Sequence, residues 1–327
     1  MGDFNICSAA TKQLKIFQSA RSKEITGHSS KVHVIAWNCT GSLLATGSTD
    51  NTAKIWQFSD DQSANASEIK EHITLYGHSD SVDQLAWSPK DPQLFATVSL
   101  DKTLRLWNAL SGELVGKVEV LEECINISFS PTGNQIAVGT KEETIHFIDV
   151  SSLSILHSVK SLVEVNEFGW NSSQTLFLYA TGQGNIVVLD AKSFEKHQEP
   201  FYAHLASCYC LKYDPNGRFF ATGGADSIVA VWEAETFVCC QTITSHSTPI
   251  RAVGFSFDGM FLASGSEDSH IDIRSVLNPS NAFQLVIGTG LAVNSISWHP
   301  KKHLMAFAAA SEETEEMSVK VFGFVCE

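Results

Sequence analysis

Three sets of residues in this 327-residue chain combine an imidazole, a hydroxyl, a carboxylate and an indole. They are His28, Thr46, Asp50 and Trp56; His78, Thr97, Asp101 and Trp107; and His204, Thr222, Asp226 and Trp232. Hydroxyl, imidazole and carboxylate are the parts of a nucleophilic triad, in which the base takes the hydroxyl proton and the acid orients the base. A triad occurs once, whereas this set recurs at fixed spacing. Recurrence is expected of a repeated structural part. A nucleophile would also need exposure and an oxyanion hole, so no catalytic residue is expected.

The elements that must position these groups are clearest between Tyr76 and Glu113. Ser81–Trp87 is apolar at alternate positions, Leu94–Ser99 is a compact apolar run, and Thr103–Trp107 alternates again. A fourth segment, about Leu114 to Val118, follows the Ser111-Gly112 turn. The pattern predicts an antiparallel four-stranded meander. Gly77-His78 precede its first strand, Asp101 lies in the turn after its second, and Trp107-Asn108 close its third.

The same pattern runs through most of the chain. A first copy spans Glu24–Phe58, a third Val118–Val150, and a fourth about Ile155–Asp190. A fifth contains Ala203-His204 and Val231-Trp232; a sixth contains Ser245-His246, Asp268 and Arg274, with Arg274 in the Trp place. A seventh contains Trp298-His299-Pro300 and Val319–Phe322, split by an acidic insertion from Glu312 to Glu316. The third, fourth and seventh copies lack the full set, with Glu142 at one turn in place of Asp, and the sixth lacks its Trp. Those copies are expected to depend on packing or on their neighbours.

The Gly-His pair, the turn Asp and the closing Trp-Asp or Trp-Asn, repeated about every 40–45 residues, resemble the WD-repeat family. The resemblance implies an all-β fold, a seven-bladed β-propeller over residues 23–327 whose ring is closed by an N-terminal strand near Lys23–Thr26. It also implies that each set forms a buried relay, Asp to His to hydroxyl to indole. Residues 1–22 match no repeat and are expected to be a tail, in which Leu14, Ile16 and Phe17 either dock or fray. Loss of residues 1–18 is then harmless, and loss of 1–26 is not. Ser59–Ser67 reads as a flexible linker.

The chain has 22 Lys and Arg against 36 Asp and Glu, a net charge of −14. Affinity for polyanions comes mainly from Lys and Arg at phosphates, so independent RNA binding is not expected. Eight scattered cysteines show no zinc spacing and read as reduced, partly buried thiols; no metal or cofactor is expected. No apolar run suits a signal peptide or membrane span, which points to a reducing compartment. Glu122-Glu123, Glu142-Glu143 and the Glu312–Glu316 cluster read as solvated loops.

Several stretches exceed what a blade requires. They are Lys31–Trp37, Asp80–Trp87, Glu164–Glu167, Ser266–Ile273 and Ser297–Lys302. Together they resemble the third-subunit family of the THO complex, part of the TREX mRNA-export machinery. That resemblance implies a nuclear, non-catalytic scaffold. Its partners would be the large helical THO subunit and, indirectly, the DEAD-box RNA helicase of TREX, with RNA touched only indirectly and no membrane. The alternative is another WD-repeat scaffold, such as a ubiquitin-ligase substrate receptor, which often gathers Arg at one end of the ring. Arg105, Arg251 and Arg274 do not share a repeat position. For partner binding, the residues before the turn Asp stand out: Thr49, Leu100, Ala225 and Glu267. Leu100 is a large apolar residue at a turn and is the expected anchor, with Asp83 and Glu267 as polar rim contacts.

Overall fold

The chain is described here by a computed structural model, covering residues 14–325 apart from 16, 62–65, 289 and 312–316. β1 (Ala20–Glu24) comes first in the chain but belongs to the last blade. Blade 1 is β2 (Val32–Trp37), β3 (Leu43–Ser48), β4 (Ala53–Asp61) and β5 (Ala66–Leu75). Blade 2 is β6 (Val82–Trp87), β7 (Leu94–Ser99), β8 (Thr103–Asn108) and β9 (Leu114–Glu119). Blade 3 is β10 (Cys124–Phe129), β11 (Gln135–Thr140), β12 (Thr144–Asp149) and β13 (Ile155–Lys160). Blade 4 is β14 (Val165–Trp170), β15 (Leu176–Thr181), β16 (Asn185–Asp190) and β17 (Phe201–Tyr202). Blade 5 is β18 (Cys208–Tyr213), β19 (Phe219–Gly224), β20 (Val229–Glu233) and β21 (Cys239–Ile243). Blade 6 is β22 (Ile250–Phe255), β23 (Phe261–Ser266), β24 (His270–Ser275) and β25 (Ala282–Val286). Blade 7 is β26 (Ala292–Trp298), β27 (Met305–Ala310), β28 (Met317–Val325) and, outermost, β1. This is the seven-bladed propeller that the repeats predict.

Each blade begins with its inner strand, and the inner strands stand in a circle, β26 packing against β2. The second strand of each blade is built almost wholly of apolar, small and hydroxyl residues because neighbouring blades cover both its faces; all of Leu43–Ser48 and Phe261–Ser266 is buried. The outermost strands face solvent and are exposed at most positions, as in Ile155–Lys160. The seven apolar clusters lie between blades rather than within them. Each large side chain buried there contributes about 1.5–3 kcal/mol, so the ring is held by its blade-to-blade interfaces.

Closure comes from the N-terminus, through a strand three residues earlier than Lys23–Thr26. Ala20 pairs with Val325 and Glu24 with Lys320, and Ile25 N–H donates to Val319 O at 2.8 Å. The boundary expected between residues 22 and 23 falls inside this strand. Leu14 and Phe17 are buried between blades 6 and 7. Phe17 packs against Phe261, Phe283, Trp298 and Phe322, at ring centroid distances of 5.5–6.1 Å. Ile16 lies outside the described residues. Blades 7 and 1 are also joined at the ring's inner wall. The amides of Ile35 and Trp37 donate to the hydroxyls of Ser295 and Ser297, both at 3.2 Å.

Two expectations about loops change. The Ser59–Ser67 stretch is largely hairpin, since β4 continues to Asp61 and β5 resumes at Ala66. The acidic Glu312–Glu316 insertion lies outside the described residues. Among the cysteines, Cys124, Cys208 and Cys210 are buried, while Cys239 and Cys240 are exposed because their strand is outermost. Burial pushes the Cys124 and Cys210 thiols up to about 12, which makes them unreactive.

Candidate functional site

Inner strands run away from one end of the ring, here called the upper end. The upper end carries the connections between blades and the turns after each second strand. Every inner strand has a register shift after its first paired residue, or in β26 after its second, so one residue there is left unpaired with its neighbour. Such β-bulges re-aim a side chain. The bulged residues are His33, Asp83, Ile125, Asn166, Tyr209, Arg251 and Asn294, and all seven line the mouth of the axial channel or stand beside it.

The three four-residue sets assemble at the upper end of blades 1, 2 and 5. His28 Nδ1 lies 2.8 Å from Asp50 Oδ2, and Nε2 lies 2.8 Å from Thr46 Oγ1. A carboxylate only accepts, so Nδ1 carries the proton and Nε2 accepts from the Thr46 hydroxyl. The same oxygen accepts the Trp56 indole N–H at 2.9 Å. In blade 2 the corresponding distances are 2.8 Å to Asp101, 2.7 Å to Thr97, and 2.8 Å from Trp107 to Thr97. In blade 5 they are 2.9 Å to Asp226, 2.8 Å to Thr222, and 3.0 Å from Trp232 to Thr222. Thr46, Thr97 and Thr222 are 0% exposed. A hydroxyl so placed reaches no substrate, and its proton is already committed to the imidazole.

Blade 6 holds a relay that the sequence reading passed over. His246 Nδ1 is 3.1 Å from Asp268 Oδ2 and Nε2 is 2.9 Å from Ser264 Oγ. Ser264 in Ala263-Ser264-Gly265 stands at the Thr46 place, and that is the signal that was available. His270 stacks on His246 at 5.0 Å, so His246, Asp268 and His270 gather their ligand atoms within 4.8 Å. Both His246 nitrogens are engaged within the relay. Arg274, in the Trp place, instead pairs with the buried Asp272.

Burial lowers the titration of His28, His204 and His246 below the usual 6.5, against the pull of their carboxylate partners. Burial raises Asp50 and Asp268, but hydrogen bonds outweigh it and hold both below the usual 3.8. Asp50 receives Thr52, the Ser29 amide and His28; Asp268 receives the Ser247 hydroxyl and amide, His246 and Ser266. The folded chain binds imidazole protons less readily than the unfolded one. The His contribution is therefore fully present above about 6.5 and is lost as pH falls towards the folded values. The Asp contribution is present above about 3.8 and is lost as pH falls through its lower folded values. Thermal melting should accordingly drop between about pH 7.5 and about pH 5.5, and His204→Gln should shrink that drop. An equal or higher melting temperature at the lower pH would contradict the burial of neutral imidazoles.

The partner-binding candidates are not all neighbours. Leu100 is half-buried at the upper turn of blade 2, its amide donating to Ser81 O at 3.2 Å. Asp83, in the same blade, lines the channel mouth, and burial pushes its carboxyl up despite the nearby Ser81 hydroxyl and His33. Glu267 belongs to blade 6, across the ring, and receives Arg251 at 2.8 Å and 3.1 Å. Arg105 is 3.7 Å from Asp101, so each of the three arginines weighed above faces a carboxylate of its own blade. They form no shared Arg cluster.

Side chains also cross the channel. Gln84 of blade 2 accepts from the Ile127 amide at 2.7 Å and donates to Glu167 of blade 4 at 3.3 Å. Lys212 of blade 5 reaches the same Glu167 oxygen at 3.5 Å.

The family profile "WD domain, G-beta repeat" matches residues 19–57, 69–108, 195–233 and 237–273. Each matched segment contains one His–Asp relay; the three inner strands of blades 3, 4 and 7 fall outside. The chain is 41% identical over 312 residues to THO complex subunit 3 of Arabidopsis thaliana, covering 94% of this chain and 97% of that protein. It is 32% identical over 329 residues to WD repeat-containing protein AAC3 of Dictyostelium discoideum, covering 95% of this chain and 68% of that protein. On its propeller, its repeat relays and this end-to-end similarity, the chain belongs to the THO complex subunit 3 family of WD-repeat proteins.

Proposed function

We propose that this chain is a non-catalytic scaffold subunit of a nuclear THO/TREX complex, mediating the protein–protein contacts that couple transcription to mRNA packaging and export. The observation that carries this reading is the similarity to THO complex subunit 3 across nearly the full length of both chains. The relays support it, because their hydroxyls are sealed and serve to fix the upper turns. The partners would be the large helical THO subunit and, through it, the DEAD-box RNA helicase. Capture from nuclear extract with the tagged chain, read by mass spectrometry, tests this directly. Recovery of the THO core is expected; recovery of a ubiquitin-ligase core in its place would overturn it.

The charge gives a second test. With a net charge of −14, the isolated chain should bind single-stranded RNA no more tightly than the non-specific range of about 10⁻⁴–10⁻⁶ M at physiological salt. Submicromolar binding that weakens steeply with salt would make RNA a direct ligand.

A further inference from the structure

The connection into each blade carries one residue three places before the inner strand, at the upper end. In blades 1, 2 and 6 that residue is Ser29, Ser79 and Ser247, each donating its amide to the relay carboxylate. In blades 3, 4 and 5 it is Leu121, Leu162 and Leu205, which are 78%, 100% and 95% exposed. Scattered exposed leucines are ordinary, but three at one repeat position in three consecutive blades form an arc. Tyr202, 77% exposed at the end of blade 4, lies between the last two. Leu121 holds a φ of +71°, a left-handed conformation that a Leu rarely adopts. The hydrogen bond from Val120 N to Lys102 O at 2.9 Å sets Leu121 beside the turn of blade 2 that carries Leu100.

We propose that this arc is the seat of a basic amphipathic helix of a partner protein, a reading that deepens the scaffold function and rests on it. Packed sheets stand about 10 Å apart, so successive leucines are at least about that far apart. Seven residues of helix rise about 10.5 Å, so apolar side chains at i, i+7 and i+14 of one helix face match three blades. An added β-strand is not accommodated, because the upper end consists of hairpin tips rather than a sheet edge. Charge selects the sign of the partner. Glu122, Glu123, Glu142 and Glu143 lie at the blade 3 end of the arc, Glu164 follows Leu162, and Asp226 accepts the Leu205 amide in blade 5, Glu142 and Glu164 being exposed. The nearby Lys141 and Lys160 are turned to Glu123 and Glu143, at 2.7 Å and 3.9 Å. A polyanion would be repelled there, and Lys or Arg flanking an apolar stripe would be attracted.

The test places a benzoyl-phenylalanine photo-crosslinker at Leu162 in the full chain, in nuclear extract, and identifies the crosslinked peptide. A segment with apolar residues at heptad spacing and a net positive charge is expected. An RNA adduct, a second copy of this chain, an acidic or non-helical segment, or no adduct overturns the proposal. The identity of the crosslinked protein reports separately on the THO reading, since a basic helix from outside THO would support the seat and sink the complex. As a second readout, Leu162→Asp combined with Leu205→Asp should weaken capture of that protein tenfold or more with unchanged melting. Leu110→Asp combined with Leu277→Asp, on the opposite end, should not. Equal loss in both pairs would mean that the arc is not the seat.

Discussion

Phe17→Ala is expected to cost about 3–5 kcal/mol, the largest single-residue loss anticipated for this chain. The ring is 2% exposed and sits among aromatic side chains of blades 6 and 7, so its removal leaves a cavity between two blades rather than on a surface. The interface matters more than most, since blade 7 is completed by β1 and Phe17 anchors the chain just before that strand. A cut after residue 18, harmless if residues 1–22 were a tail, removes Phe17 and Leu14 and should behave like the point variant. A cut after residue 26 should be worse, because it also bares the edge of β28 and invites intermolecular pairing. Denaturant midpoints check the first two, and light scattering checks the third. Unchanged midpoints for Phe17→Ala would mean that the ring closes without this anchor.

Asp101→Ala should cost about 2–4 kcal/mol. Asp101 accepts from His78, from the Ser79 and Thr103 amides, and from the Thr103 hydroxyl at 2.6 Å. Alanine takes the acceptor from all of these donors, of which His78 and Thr103 are buried, and leaves the His78–Thr97–Trp107 chain without its acceptor. Glu142 occupies the equivalent turn of blade 3, where the His place is filled by the buried Val120, and its side chain is exposed. Glu142→Ala should therefore cost less than about 1 kcal/mol. Equal shifts in denaturant midpoint would refute the assignment of the relay as a stabilising network.

The period made the architecture legible. Leu94–Ser99 was bounded to the residue, because a strand covered on both faces carries no charged side chain and ends where its turn begins. The relays were legible because they recur. What recurs imperfectly was harder to see. Blade 6 lost its Trp to Arg274 and its Thr to Ser264, and the missing indole hid a working His246–Asp268 pair. Phe17 belongs to no repeat, so no pattern marks it. The inner-strand bulges were hidden for a different reason. In Val32-His33-Val34-Ile35 both faces meet neighbouring blades, so alternation does not report facing, and one extra residue leaves no trace.

Four of the five stretches that pointed to the family prove to be joints between blades. Asp80–Trp87 and Glu164–Glu167 meet across the channel through Gln84 and Glu167. Lys31–Trp37 and Ser297–Lys302 meet through Ser297 and Trp37, and His299 donates to Gly41 O at 3.1 Å. Such contacts join residues as much as 260 positions apart, and nothing in a single repeat announces them.

A propeller that works by holding another THO subunit should bind that subunit as a purified chain. The most direct measurement titrates the purified full chain against the purified large helical THO subunit, by calorimetry or by light scattering after size exclusion. A stoichiometric complex with a dissociation constant below about 1 μM, or roughly −8 kcal/mol, is expected. Two species that remain separate at concentrations of about 10 μM or more would contradict it.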